Sequence, residues 1–200
     1  MPGLFTKRSF RVTGGSCIFA SLLLLVLPLQ WVVAAAVAAG VHELCHGCAI
    51  CLCGGRIHSL TLGSNGAAMD IEPLSVGREL ICALAGPIGG LCLLLLARWI
   101  PRVALCAAVQ SLYNLLPVYP LDGGRALRCG AALFFPRQGD QICKVIENGC
   151  LLILFLFGFY CSIWLGLGIF PLLFASTIWL KRKNTLQTGQ GLSTIVAANL

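Results

Sequence analysis

From Val12 to Gly55 the chain runs for about 44 residues in which the only ionisable side chains besides cysteine are His42, Glu43 and His46. A charged side chain is expensive in hydrocarbon, and the backbone amides there must find their partners within the segment, so such a stretch folds as membrane helix. One crossing takes about 20 residues, which leaves room for two. Pro28 interrupts a helix and Trp31 suits an interface, so a first span is expected over 14–29 and a second over 31–53. A cleaved signal peptide is the alternative, with Lys7, Arg8 and Arg11 ahead of the apolar run and Ala34, Ala35 and Ala36 mimicking a cleavage site. The apolar run continuing past those alanines weighs against it.

Composition agrees with the membrane reading. Apolar residues make up 58% and charged residues 10% of the chain, and the mean hydropathy is +0.90. That excludes collagen, a disordered tail and a water-soluble sandwich or Rossmann domain, none of which could cover so much apolar surface. The net charge of +7 comes from fourteen Lys and Arg against seven Asp and Glu. The cations flank apolar runs, as topology signals do, and do not point to nucleic acid. Most of the twelve cysteines, Cys82, Cys92, Cys106, Cys150 and Cys161 among them, sit singly in apolar surroundings and read as small buried hydrophobes.

Residues 54–77 differ in kind. Ile57, Leu60 and Leu62 alternate before Gly63, Ser64, Asn65 and Gly66, and Met69 and Ile71 follow, which predicts a β-hairpin. A third span is expected over 80–97 and a fourth over 103–118. Residues 148–180 carry no charge, and a split near Gly166 and Gly168 gives two more. The fold class expected is an all-α polytopic membrane protein of about six transmembrane helices, with a small β-hairpin between the second and third. A membrane domain over 1–183 would be followed by a short disordered tail over 184–200. Six spans place twelve of the cations on one side and only Arg98 and Arg102 on the other. The positive-inside rule makes the majority side cytoplasmic, both termini included, for a multi-pass protein of the cell membrane.

The second span holds His42, Glu43, Leu44, Cys45 and His46, an HExxH pattern. Positions i and i+4 share a helix face, so both imidazoles can reach one zinc while the adjacent Glu reaches the attacking water. Structural histidines satisfied by backbone carbonyls are the plain alternative, disfavoured by three ionisable groups on one intramembrane helix. A catalytic zinc needs a third protein ligand. Asp70, Glu72, Glu79, Asp140 and Glu147 all fall in expected loops or at span ends, whereas Asp122 follows an apolar span in the segment Asn114 to Arg125. Pro117 and Pro120 stop the preceding helix, and Gly123 and Gly124 allow tight backbone. Asp122 reads either as part of an ordinary polar turn or as that ligand, and six-span topology, which puts it at a depth similar to His46, favours the second.

The HExxH helix followed by an NxxPxxPLDG segment resembles the site-2 protease family of intramembrane zinc metalloproteases, and the Ala85, Gly86, Pro87 element is also similar to the family's. Within that family the Asn114 to Arg125 segment looks most like the sporulation type that processes a sigma-factor precursor. The resemblance implies one zinc per chain held by His42, His46 and Asp122, Glu43 as the catalytic carboxylate and a supporting role for Asn114. It implies a membrane-associated or single-span protein substrate cut near the cytoplasmic face of the bilayer, a membrane-tethered transcription factor precursor being one such, with a regulatory membrane protein as a further partner and no nucleic acid. Cys45 departs from the pattern, standing where the family commonly has a small residue. Two other readings stay open: a metal or ion transporter with His and Asp lining a path, and a catalytically silent relative that only binds. Cys45, Cys48, Cys51 and Cys53 are too tightly spaced on one helix to surround a metal.

Overall fold

The computed structural model describes residues 9–15, 21, 24–63, 66–166 and 168–187. The first expected span lies partly outside them, as do the tail beyond residue 187 and the two turn residues Ser64 and Asn65. The chain forms two compact units. One is Met1–Leu74 with Leu84–Tyr113, and the other is Ser75–Ala83 with Asn114–Leu200.

The first unit carries strand β1 (Ser9–Val12), helix α1 (Leu29–Leu52), strands β2 (Ile57–Gly63) and β3 (Gly66–Ile71), and helix α3 (Pro101–Asn114). Helix α2 (Val76–Cys92), which runs on as a 3-10 turn over Leu93–Leu96, supplies residues to both units. Pro28 stands at the N-cap of α1, and no proline interrupts the next 24 residues. The buried positions of α1 are Ala34, Ala38, His42, His46, Ala49 and Ile50, a single stripe at helical spacing. Small residues therefore pack along the same face that carries both histidines. On α3 the buried residues Ala104, Ala107 and Ser111 make a similar stripe, and a Cβ at Gly90 of α2 would collide with Ser111 Oγ. Close helix approach of this kind is how apolar helices associate where no hydrophobic force separates them from lipid.

The hairpin forms as the alternation predicts, β2 antiparallel to β3 with Gly63 opposite Gly66. β1, unexpected from the sequence, pairs parallel to β2 with Ser9 opposite Ser59 and Val12 opposite Leu62. The order β1–β2–β3 leaves β3 at the margin of the sheet.

The second unit holds α4 (Asp122–Phe134), α5 (Gly139–Trp164) and α6 (Phe170–Gln187). Two boundaries and one helix differ from expectation. The fourth span was expected to reach residue 118, but α3 stops at Asn114 because Pro117 and Pro120 cannot continue a helix, and the Tyr119–Pro120 bond is cis. The fifth was expected from residue 148. It begins at Gly139, since Asp140 and Lys144, 3.6 Å apart at i,i+4, favour helix in a segment too polar to register as membrane. The stretch between them was expected to be loop and instead contains α4. The helix break expected near Gly166 and Gly168 is present, both residues adopting the left-handed backbone (φ of 62° and 63°) that glycine alone takes without strain. α6 continues as helix to Gln187.

Leu29–Leu52, Val76–Leu96 and Gly139–Trp164 are long and apolar enough to cross a membrane. They turn large apolar side chains outward, Leu44 at 65% and Phe157 at 63% exposure, a surface suited to hydrocarbon and not to water. The protein is a mostly helical membrane protein with a small sheet.

Candidate metal centre

His42 and His46 lie on the buried stripe of α1, 3% and 8% exposed. Their Nε2 atoms are 3.1 Å apart, and the rings stand edge to face at 83° with centroids 4.7 Å apart. Two imidazole nitrogens brought this close suit a shared cation. Zinc–nitrogen bonds of about 2.0–2.1 Å at a tetrahedral angle separate two donor atoms by roughly 3.3 Å, so the pair fits zinc with little adjustment. α2 makes the room, because a Cβ at Gly86 would collide with His46 Nε2 and one at Gly89 with Cys45 Sγ. Glu43 follows His42 on α1 and is half-buried.

In the second unit Asp122 is the first residue of α4. The loop over residues 115–121 folds back across the start of that helix, so that a Cβ at Gly123 would strike the Leu115 carbonyl and one at Gly124 the Tyr119 amide nitrogen. Leu121 is extended (ψ 160°). The Asp122 carboxylate thus leaves a backbone whose two following residues must be glycine, at a helix start where the macrodipole favours negative charge. Arg125 Nη1 is 3.9 Å from Asp122 Oδ1, and Nη2 is 3.6 Å from Glu79 Oε1 in the first turn of α2. Burial pushes the Lys181 ammonium below its ordinary value, against the opposing pull of the Asp122 carboxylate. Burial likewise raises the Tyr119 hydroxyl, with Arg128 and Arg125 pulling it down. Asn114 ends α3, directly before the loop.

His42 and His46 in the first unit each offer a ligand nitrogen and Asp122 in the second offers a carboxylate oxygen, the donor types of a metal-binding group. Cys45, Cys48, Cys51 and Cys53 belong to no such group among the described residues. His58 lies on β2 with its Nε2 3.8 Å from Glu72 Oε1, a half-exposed polar contact. Sequence reasoning missed Arg125 with Glu79, and a buried cluster of Arg128, Glu147 and Arg182. The signal available was Glu147 itself, a carboxylate close against a long uncharged stretch.

The fold is similar to that of a solved structure, a site-2 protease from Methanocaldococcus jannaschii, with a TM-score of 0.62 and 20% sequence identity over 88% of this chain and 90% of that one. At that identity the likeness establishes the shared fold. No protein-family profile matches the chain, and no curated protein does.

Proposed function

We propose that this chain is an intramembrane zinc endopeptidase of the site-2 protease type. The observation that carries the reading is the pair of imidazole Nε2 atoms 3.1 Å apart on the buried face of a helix apolar enough to cross a membrane. The likeness to the archaeal protease fold supports it. His42, His46 and Asp122 would hold the ion. Zinc bound there supplies Lewis acidity toward the scissile carbonyl and the attacking water. Glu43 takes the water's proton and returns it to the leaving amine, work for a carboxylate that sits beside the ligands without being one. Gly86 keeps His46 in place by giving its ring space. Asn114 contributes an amide that can hydrogen-bond in support of the site.

The substrate is a membrane-associated or single-span protein, cut near the cytoplasmic face, and a membrane-tethered transcription factor precursor of the sigma-factor kind fits that class. A helical substrate hides its amides in i to i+4 bonds and must be unwound before attack. β3, at the sheet margin, offers backbone groups to an extended segment. Both termini face the cytoplasm, in keeping with the cation distribution.

The test compares wild type with Glu43→Gln, co-expressed with membrane-tethered candidate substrates and read by immunoblot, alongside the zinc content of purified protein. Glu43→Gln keeps zinc near one per chain and lowers cleavage by about a hundredfold or more. His46→Ala and Asp122→Ala lose both. Cleavage by Glu43→Gln at the wild-type rate would discard Glu43 as the proton carrier, and metal uptake with no cleavage by wild type would favour metal transport.

A further inference from the structure

The second unit buries a carboxylate that the proposed chemistry does not use. Glu147 of α5 has no exposure at all, and two guanidinium groups meet it. Arg128 of α4 approaches side-on, Nε donating to Oε1 at 3.0 Å and Nη2 to Oε2 at 3.3 Å. Arg182 of α6 places Nε 3.0 Å from Oε2 as an ion pair outside hydrogen-bond geometry, and its Nη1 donates to Asn148 Oδ1 at 2.7 Å. Both arginine side chains are largely buried, at 12% and 13% exposure. The Arg128 guanidinium lies over the Tyr119 ring, Cζ 4.2 Å from the centroid.

Stability alone is a weak reason for such a cluster. Taking a carboxylate and two guanidiniums out of water is costly, and well-packed apolar side chains of similar volume often stabilise as much. What apolar packing cannot supply is direction. A guanidinium engages a carboxylate through its edge and an aromatic ring through its face, so partners on both fix the orientation of its plane. Here Glu147 engages the Nε and Nη2 edge, and the guanidinium sits over the ring of Tyr119, three residues before Asp122. The same stretch of backbone packs closely on Gly124, where a Cβ would strike the Tyr119 nitrogen.

We infer that Arg128 is a positioning residue for Asp122: Glu147 orients its guanidinium, and the guanidinium holds Tyr119 and the loop from which Asp122 emerges. The inference rests on the metal-site reading above, and it assigns the buried cluster to the accuracy of the ligand set. Lysine at position 128 keeps the charge and loses both the fork and the flat face. Phenylalanine at 119 keeps the ring, and alanine removes it.

The experiment uses the full chain purified in detergent. Zinc affinity is measured by competition with a chelator, the ligand geometry by the visible absorption of the cobalt(II)-substituted protein, and stability by the thermal midpoint. The variants are Arg128→Lys, Tyr119→Ala, Tyr119→Phe and, as a cavity control one turn from Glu147, Leu151→Ala, a residue 5% exposed. Arg128→Lys and Tyr119→Ala should weaken zinc binding about tenfold or more, in the range found for groups that orient metal ligands, and shift the cobalt bands. Tyr119→Phe and Leu151→Ala should leave both within about twofold of wild type, even where Leu151→Ala lowers the midpoint as much as the others do. The inference is overturned if Arg128→Lys and Tyr119→Ala lower the midpoint but spare the zinc affinity and the cobalt spectrum, or if Leu151→Ala perturbs the metal equally. Should Arg128→Lys fail to fold, the contrast of alanine with phenylalanine at 119 decides alone. A wild-type chain that takes up neither ion overturns the metal-site reading itself, and this inference with it.

Discussion

Gly86 shows how little tolerance the histidine pair has. A single methyl there meets the nitrogen that is to bind the metal, and an overpacked site of this kind costs about 1–3 kcal/mol. Gly86→Ala should therefore weaken zinc binding about tenfold or more by chelator competition. Gly40→Ala on α1, where an added Cβ meets nothing within 4 Å, should leave it unchanged. Cys129 on α4 gives a different residue-scale expectation. Burial pushes its thiol from the ordinary 9.0 up to about 12, with Glu79 adding to the rise and Arg125 opposing it. Between those values the unfolded chain has lost a proton that the folded chain keeps, so stability falls as pH rises from about 9 toward 12. The thermal midpoint should drop over that window, and the drop should be shallower in Cys129→Ala.

The strands and helices differ in what the sequence discloses of them. On β3, successive amides point to opposite sides, one toward β2 and the next toward the open margin. Proline at Ala68 and proline at Met69 thus remove different donors. One should unsettle the hairpin, and the other should leave it folded while lowering cleavage of a helical substrate more than Met69→Ala does; equal activity of all three on a purified substrate would reduce the hairpin to a connector. The hairpin was legible because alternation and the glycines of its turn are local signals. The HExxH face was legible because a spacing of four translates directly into one side of a helix. β1 was not, since four residues, Ser9–Val12, acquire meaning only from a partner that begins at Ser59. α4 escaped because hydropathy registers long apolar stretches and is blind to a helix of 13 residues with polar ones among them. The Glu147 cluster joins residues 19 apart in one direction and farther in the other, and only assembly of the helices shows that it exists.

For the whole molecule, the distribution of its cations makes the most exposed prediction. With twelve of fourteen on one side in the six-span layout, a reporter fused after Gln187, at the end of α6, should be active only as a cytoplasmic marker. Activity outside the cytoplasm would remove one of the spans expected within residues 148–180. The glycines of α2 carry a mechanical consequence. Gly86, Gly89 and Gly90 are matched respectively to His46, Cys45 and Ser111. The smallest screw step that carries a helix onto itself is about 1.5 Å and 100°. Such a step would bring Ala85 or Pro87 against the imidazole, and in the latter direction Leu91 against the serine. α2 is in this sense a keyed shaft, unable to slip one notch past α1 and α3 without stripping its teeth, so whatever movement admits a peptide has to be carried by parts of the chain that are not keyed.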